Sequence, residues 1–341
     1  MFHRVRLAGL LLMIGILTPT GGCEEGPVTQ DTTTKNNQRG SDKGFIAFVG
    51  AGEKNPLWPI LKTGSRRYTR YMGDIEFRYF SPKGHSPKDQ IELLKTLEDP
   101  KMRGLCIQII DPDAIRFILE KMFTRGITIV SMINPAPERI RVGHVGFNDE
   151  NIGEAIAKAT IEVLGGTGSI MVLHADTDHP TYGPRLTAFE KKLASHREID
   201  IYAKINCHAN PLEARDEIRR RSARYPRLSA WVALDDWPIR EIQEVKTLFA
   251  PGCKFVTFGG LPSHWPLIRS GTSPVMVAAH YRNLGYEASR FCEMEIRHES
   301  HFKHIDHAQI RFIRPTNLNE YIDNWSYWST GLYTKKEIGP G

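Results

Sequence analysis

Four histidines recur at every third position near the end of the chain: His298, His301, His304 and His307. On a helix this spacing would gather the imidazoles on one face, where they could bind a transition-metal ion. On an extended connection they would point alternately to opposite sides and would not converge. The repeat follows the last predicted helix of its lobe and precedes the strand-like run QIRFI. We therefore predict an exposed loop and no metal site.

The sequence contains no motif for catalysis or for a bound cofactor. Gly50 and Gly52 follow an apolar run, but the third glycine of a dinucleotide-binding loop would fall at Asn55. We find no Ser-His-Asp order, no paired catalytic carboxylates and no HExxH segment. Cys106 lies within an apolar run and is expected to be buried and inert. We predict a protein that is not an enzyme and has no catalytic residues, metal or cofactor.

The elements around these residues alternate between apolar runs and amphipathic helices. This alternation is typical of βαβ units with parallel sheets. It occurs in two series, which predicts two α/β halves that meet near residues 143–148. The predicted strands of the first series are 45–50, 75–80, 104–110, 127–133 and 142–147, and those of the second are 169–175, 199–205, 229–234, 254–258 and 274–279.

The composition excludes several classes of protein. The chain has 341 residues, of which 40% are hydrophobic and 25% charged, and its net charge is +6. From Cys23 onward the charge is +4, because Arg4 and Arg6 are the only charged residues before that point. So small an excess does not indicate a nucleic-acid partner. A mean hydropathy of −0.36, with no second long apolar run, excludes a multi-span membrane protein.

The N-terminal residues predict export. A basic start and an eleven-residue apolar stretch, Leu7–Leu17, are typical of a signal peptide. The run Thr20-Gly21-Gly22-Cys23 is similar to a bacterial lipobox, although Thr20 stands where an aliphatic residue is usual. We predict a lipoprotein signal peptide over 1–22, lipid attachment at Cys23 and a flexible tether over 23–43. Plain cleavage that leaves a free cysteine is the alternative.

Seven short segments carry a resemblance to a known family. They are FIAFVGAGEKNPLWPILKTG (45–64), GITIVSMI (126–133), VGFNDENIG (145–153), RLTAF (185–189), YPRLSAWVALDD (225–236), FVTFGGLP (255–262) and 317–321. In the first, a strand leads into Asn-Pro and a helix. In order and spacing the segments resemble the type I periplasmic binding proteins, the ribose-binding-like substrate-binding family of sugar ABC transporters, and VGFNDENIG is similar to the Val-Gly-x-Asp-Asn turn of that family. The resemblance spans about residues 44–325.

The resemblance implies an α/β fold of two Rossmann-like lobes joined by a three-strand hinge. The chain would cross between the lobes near residues 147, 280 and 310. The N-terminal lobe would then hold 44–147 plus 280–310, and the C-terminal lobe 148–279 plus 311–330. A small molecule would bind between the lobes, beyond the carboxyl ends of the strands, and the lobes would close on it.

The resemblance also carries candidate ligand-binding residues onto this sequence. Asn55 matches an amide that can donate to and accept from a hydroxyl group. Trp58 stands at an aromatic position and could stack on a sugar ring, or could be a core residue at a helix start. Arg185 offers five fixed donors but could be a solvated helix-start residue, and Asp235 could accept hydroxyl protons or cap the next helix. Asn134 and His280 complete the set: Asn134 stands where the family has an Arg, and His280 is adjacent to Ala279, which replaces a Gln of the family.

Several polar positions of the family are apolar here. Ile133, Gly259, Ala279 and Ala51 occupy them, and an unmatched buried hydroxyl costs about 1–3 kcal/mol. These departures favour a ligand that is less polar, larger or modified, or a cleft that has lost its ligand.

The function predicted from the whole sequence is that of a lipid-anchored solute-binding protein in the periplasm or cell envelope. It would deliver a sugar-like ligand to an ABC transporter permease, and it would contact a membrane surface through its lipid. A ligand-sensing module for a membrane receptor and a degenerate binding protein are the alternatives.

Overall fold

The folded chain is built around two six-stranded sheets. A computed structural model describes residues 44–71, 73–179, 181–240, 248–299 and 304–332, with backbone alone for 304–307. The predicted signal peptide (1–22), the lipid-attachment residue Cys23 and the tether (23–43) lie outside the described residues. Among the described helices, none is long and apolar enough to cross a membrane.

The first sheet is parallel throughout. Its first strand, FIAFV, is buried at every position, as expected of a strand that helices cover on both faces. The spatial order is β11-β5-β4-β3-β1-β2. The strands are β1 (Phe45–Val49), β2 (Glu76–Phe80), β3 (Met102–Gln108), β4 (Thr128–Ile133), β5 (Gly143–Gly146) and β11 (His304–His307).

The second sheet repeats this plan with one antiparallel edge strand. Its spatial order is β12-β10-β9-β8-β6-β7, and only the pair of β12 with β10 is antiparallel. The two sheets confirm the predicted α/β fold of two similar halves. The strands are β6 (Gly168–His174), β7 (Ile199–Asn206), β8 (Ala230–Ala233), β9 (Lys254–Gly259), β10 (Met276–Ala279) and β12 (Ile310–Ile313).

Several helices begin at side chains that cap their N-termini. The Asn148 carboxamide accepts a hydrogen bond from the Asn151 backbone amide (2.9 Å) and so caps the helix that begins at Asp149. Asn210 caps a later helix that begins with Pro211. The helices are α1 (Trp58–Tyr71), α2 (Pro87–Thr96), α3 (Arg116–Thr124), α4 (Asp149–Leu164), α5 (Tyr182–Leu193), α6 (Pro211–Arg224), α7 (Trp265–Arg269), α8 (Leu284–Ile296) and α9 (Leu318–Thr330).

The chain passes between the two sheets three times. It leaves the first sheet after β5, returns to it after β10 and crosses again between β11 and β12. Helix α9 contacts helices that pack on both sheets. The Thr63 hydroxyl of α1 donates to the Ser329 carbonyl (2.9 Å), while the Trp325 ring lies 6.1 Å from that of Trp265 in α7. The C-terminal helix therefore contacts both α1 and α7.

The histidine repeat is only partly a loop. His298 follows α8 with a positive φ of 57°, and residues 300–303 lie outside the described part of the chain. Residues 304–307 form β11, which pairs in parallel with β5. The predicted exposed loop is therefore wrong for 304–307, because the free edge of β5 offers backbone groups that the segment can pair with.

Candidate ligand cleft

A cavity of about 280 Å³ lies between the carboxyl ends of the two sheets. Its lining residues follow strands of both sheets or belong to the crossings between them. This is the position at which open parallel sheets bind ligands. On the side of the first sheet the lining consists of Ala51, Asn55, Leu57, His85, Gln108, Ile109, Ile110, Ile133 and Asn134. Phe147 and Tyr281 belong to the crossings. On the side of the second sheet it consists of Asp149, Thr181, Tyr182, Arg185, Asp235, Asp236, Arg240, Phe258, Gly259 and Leu261.

Arg185 is the central polar group on the side of the second sheet. Its guanidinium is only 4% exposed, and Nε donates to Asp149 Oδ1 at 2.7 Å. Nη1 donates to the Leu234 carbonyl at 3.1 Å and lies 3.2 Å from Asp235 Oδ2. Burial opposes the charge, but the carboxylates of Asp235 and Asp149 outweigh it and raise the pKa of Arg185. The cleft thus presents a fixed cation with a carboxylate on either side.

The carboxyl group of Asp149 loses its proton less readily than that of an exposed aspartate. Burial raises its pKa, although the neighbouring Arg185 charge acts in the opposite direction. Asp149 is the first residue of α4, where the helix dipole also favours a negative charge. Because Asp149 directly follows the first crossing between the sheets, its negative charge lies next to the hinge.

A second set of charged residues, Asp236 and Arg240, lies next to the Arg185–Asp235 pair. Asp236 accepts a hydrogen bond from Arg240 Nε at 2.9 Å, and its Oδ2 lies 3.7 Å from His264 Nε2. Burial, followed by the Asp235 charge, raises the pKa of Asp236 to about 6. Burial, followed by the Arg240 charge, lowers the pKa of His264 to about 4. His264 is therefore neutral at pH 7, and its Nδ1 accepts from the Gly260 amide at 3.2 Å.

The first sheet contributes amides rather than charges. Asn134 donates through Nδ2 to the carbonyls of Ile109 (2.9 Å) and Ile110 (3.3 Å), which fixes its orientation. Gln108, at the end of β3, is 95% buried, and its Oε1 has no hydrogen-bond partner among the described residues. A buried acceptor without a partner is costly, so a donor from a bound molecule would stabilise it.

Aromatic side chains form the walls near the crossings. The Phe147 ring lies 5.4 Å from that of Phe258 and 6.1 Å from that of Tyr281, both nearly edge to face. The Tyr281 hydroxyl donates to the Gly259 carbonyl at 3.0 Å. Such faces can cover the apolar side of a ring while amides and carboxylates bind its edge.

A family model for a periplasmic binding protein domain matches residues 46–299, which is most of the chain. The chain belongs to the periplasmic binding protein family. The family predicted from the seven sequence segments is therefore confirmed.

Solved structures of other periplasmic binding proteins share this fold at low sequence identity. An arabinose-binding protein from Geobacillus stearothermophilus superposes with a TM-score of 0.72 at 16% identity, covering 82% of this chain and 99% of that one. A sugar-binding protein of a sugar ABC transporter from Bacillus halodurans gives 0.71 at 18%, with coverages of 82% and 99%. A solute-binding protein from Clostridium phytofermentans with bound L-rhamnose gives 0.65 at 15%, with 82% and 98%. No curated protein matches the sequence.

The structure brings four of the six predicted site residues of this periplasmic binding protein to the cleft. Asn55, Asn134, Arg185 and Asp235 all line the cavity. Asn55 is held by its own turn, since its Oδ1 accepts from the Leu57 amide at 2.9 Å. Asp235 accepts through Oδ1 from the Asp236 amide at 2.9 Å.

Trp58 and His280 lie outside the cavity lining. Trp58 is 7% exposed, its ring packs on Phe48 with centroids 6.1 Å apart, and it does not line the cavity; Leu57 does. Trp58 is the first residue of α1, and its side chain points to the core, whereas that of the preceding residue, Leu57, points to the cleft. His280 packs on the Trp328 ring at 4.7 Å, and the next residue, Tyr281, faces the cavity instead.

Sequence reasoning missed other lining residues, chiefly Gln108, Asp149, Tyr182 and Arg240. Gln108 and Asp149 stand at or just after the carboxyl ends of β3 and β5, and this signal could have found them. Tyr182 and Arg240 are brought in by α5 and by the turn after β8, so their contribution depends on packing. Burial raises the pKa of Tyr182 to about 12, so it remains a hydroxyl donor at pH 7.

The described residues hold no cluster of His, Cys, Asp and Glu that could bind a metal ion. Cys106 is buried, as predicted, and burial raises the pKa of its thiol. Cys207, Cys253 and Cys292 are also buried free thiols.

Proposed function

We propose that this protein is an extracytoplasmic solute-binding protein that holds one small sugar-like molecule between its two lobes for an ABC-type importer. It binds its ligand without chemical change. The observation that carries the proposal is the position of the cavity, since its lining comes from the strand ends of both sheets and from the crossings between them. Closure of such lobes around a ligand is the signal that a permease can read.

The size and lining of the cavity favour a monosaccharide, whose hydroxyl groups would meet polar side chains and whose ring faces would meet apolar ones. A volume of about 280 Å³ lies at the low end of ligand sites, which argues against a large ligand. The Gln108 acceptor, the Asp235 carboxylate and the Asn134 amide supply hydrogen bonds to hydroxyl groups. The isoleucines at 109, 110 and 133 and the Phe258 ring cover apolar surface. Arabinose and L-rhamnose, named with two of the structural neighbours, are ligands of this size.

Calorimetric titration of the mature protein with pentoses, hexoses and 6-deoxyhexoses tests the proposal. We expect one sugar to bind with 1:1 stoichiometry, and Gln108→Leu to weaken it about 5- to 100-fold, since a lost buried hydrogen bond costs about 1–3 kcal/mol. Gln309→Leu, at an exposed residue outside the cavity lining, is the control and should bind like the wild type. Failure of all three sugar classes to bind would contradict the proposal.

We propose in addition that Cys23 carries the lipid and that residues 24–43 separate the folded part from the membrane. The support is the apolar stretch that precedes the Thr20–Cys23 segment in the sequence. Metabolic labelling with a tagged fatty acid should mark the wild-type protein, and Cys23→Ser should abolish the label. An unlabelled wild type that is released after cleavage would favour plain secretion instead.

A further inference from the structure

A second cavity, of about 330 Å³, lies away from the ligand cleft, between α1, α9 and the hinge. Four arginines line it: Arg66, Arg67 and Arg70 from α1, and Arg282 from the turn that follows β10. Tyr327 and Trp328 of α9 form the opposite wall. Among the residues that the structure describes, none of those lining this cavity is acidic. We call it the arginine cavity.

None of the four arginines has a carboxylate partner within ion-pair distance in the described part of the chain. Arg67 donates instead to the Asn283 amide oxygen at 2.9 Å, and Arg282 donates to the Tyr327 hydroxyl at 3.3 Å. The charge of Glu287 acts to raise the pKa of Arg67, but Glu287 is itself paired with Arg290 at 2.7 Å. Other arginines of this protein do have partners, as Arg314 has in Glu162 at 2.6 Å.

Two of these like charges are close together and partly withdrawn from water. Arg67 and Arg282 are half-buried. Burial first, and then the positive charge of Arg282, lower the pKa of Arg67. Holding two such cations together without an anion costs free energy, and a bound anion removes that cost.

We propose that the arginine cavity binds a phosphate group between the guanidinium groups of Arg67 and Arg282. A phosphate carries up to two negative charges and several acceptor oxygens, which match the planar donor forks of two arginines. Arg66 and Arg70 are exposed and stand at the rim, where they attract the anion. The phosphate belongs either to a soluble molecule or to a lipid headgroup, since both present the same chemistry.

The site goes beyond the proposed sugar binding and does not depend on it. Tyr281 lines the ligand cleft, and the next residue, Arg282, lines the arginine cavity. The hinge turn therefore presents neighbouring residues to two separate cavities. The aromatic wall and the exposed Leu332 at the edge leave room for an organic group attached to the phosphate.

Titration of the mature protein with sodium pyrophosphate at constant ionic strength tests the soluble source. We expect saturable binding, with Arg67→Gln and Arg282→Gln each raising Kd at least tenfold. Arg67→Lys, which keeps the charge and loses the fork, should fall between them and the wild type. Arg227→Gln removes an exposed charge outside this cavity and is the matched control. Thermal melting without ligand confirms that each variant is folded.

Sedimentation of the Cys23→Ser protein, which lacks the proposed lipid, with vesicles of phosphatidylcholine, with or without phosphatidic acid, tests the lipid source. Binding only to the acidic vesicles, lost in Arg67→Gln and retained in Arg227→Gln, assigns the site to a headgroup. Equal weakening by Arg67→Gln and Arg227→Gln, or no binding of either probe, overturns the proposal. Sugar binding by Arg67→Gln is measured in parallel, so that failure of the cleft and failure of the arginine cavity are distinguished.

Discussion

Arg185 Nε and Asp149 Oδ1 lie 2.7 Å apart, and this ion pair joins the first turn of α5 to the first residue of α4. Helix α4 begins directly after the first crossing of the hinge. The same guanidinium reaches Asp235 after β8. One side chain therefore holds together three segments of the cleft that are distant in sequence.

Replacing Arg185 by Gln should destabilise the protein by about 3–5 kcal/mol. The change leaves the largely buried carboxylates of Asp149 and Asp235 without their shared cation. Arg185→Lys should recover only part of the loss, because an ammonium cannot serve both carboxylates and the Leu234 carbonyl in the same geometry. Urea unfolding at pH 7 measures both variants.

The control for this prediction is Arg219→Gln. Arg219 pairs with Asp216 on the surface of α6, where both side chains are more than half exposed. Its loss should change the free energy of unfolding by less than about 0.5 kcal/mol. An Arg185→Gln variant as stable as Arg219→Gln would show that the buried pair does not hold the cleft together.

Replacement by Leu should affect stability differently at two buried glutamines near the cleft, Gln90 and Gln108. Gln90 donates to the carbonyls of Gly50 (3.2 Å) and Gln108 (2.8 Å) and accepts from the Ile110 amide (3.1 Å). Gln90→Leu leaves these backbone groups without partners and should cost about 2–4 kcal/mol. Gln108→Leu removes an acceptor that has no protein partner, so stability should be unchanged or slightly higher.

Chemical unfolding of the two variants without added sugar decides between the roles. Equal destabilisation would mean that the Gln108 side chain stabilises the fold and is not reserved for a bound ligand. A stable Gln108→Leu that no longer binds sugar would assign it to the ligand.

His264 should make the protein less stable in mild acid. Its pKa is lowered from the ordinary 6.5 to about 4, so the unfolded chain binds a proton that the native state does not. Stability therefore falls as the pH drops from 6.5 toward 4, and this group alone removes about 2 kcal/mol between pH 7 and pH 4.5. Asp236, whose pKa is raised to about 6, acts in the opposite direction over part of this range.

Comparison with His264→Gln isolates the histidine. Gln is neutral at every pH and offers an acceptor for the Gly260 amide. The difference in unfolding free energy between wild type and variant should shrink as the pH falls from 7 to 4.5. A difference that does not vary with pH would contradict a neutral buried His264.

Gly153→Ala should lower both the stability of the fold and the affinity of the cleft for sugar. A Cβ at this position would lie 2.2 Å from the Arg185 carbonyl oxygen, so α4 and α5 would have to move apart. Overpacking of this kind costs about 1–3 kcal/mol, and the shift displaces the Arg185 guanidinium. Thermal melting and sugar titration should both report the loss.

The neighbouring exposed residue provides the control. Glu154 of α4 forms only a surface pair with Lys158 (3.5 Å), so Glu154→Ala should leave melting and binding almost unchanged. If Gly153→Ala behaves in the same way, the close approach of α4 and α5 is not needed.

The architecture could be predicted from the sequence because its signals are local. Buried apolar runs, such as FIAFV over Phe45–Val49, and caps, such as Asn148 and Asn210, act over a few residues. The strand boundaries therefore agree with the predicted ones to within about three residues, and the order of the segments indicated the family.

The side-chain directions at the cleft required the tertiary structure. The sequence selected Trp58 and His280, whereas packing turns their neighbours Leu57 and Tyr281 to the cavity. A sequence motif does not distinguish two adjacent residues, but the difference of one position decides whether a side chain lines the cleft or packs in the core. The same holds for the pairing of residues 304–307 with β5, since an edge strand needs a partner from elsewhere in the chain.

The sequence by itself thus determined the two-sheet plan and the end of the sheets at which the cleft lies, because hydrophobic period and strand order follow from nearby residues. Only the tertiary structure decided that Arg185 is shared between Asp149 and Asp235, that Gln108 is buried without a partner, and that four arginines surround one cavity. Such relationships join segments far apart in the chain, and distances between them arise only when the helices and sheets pack.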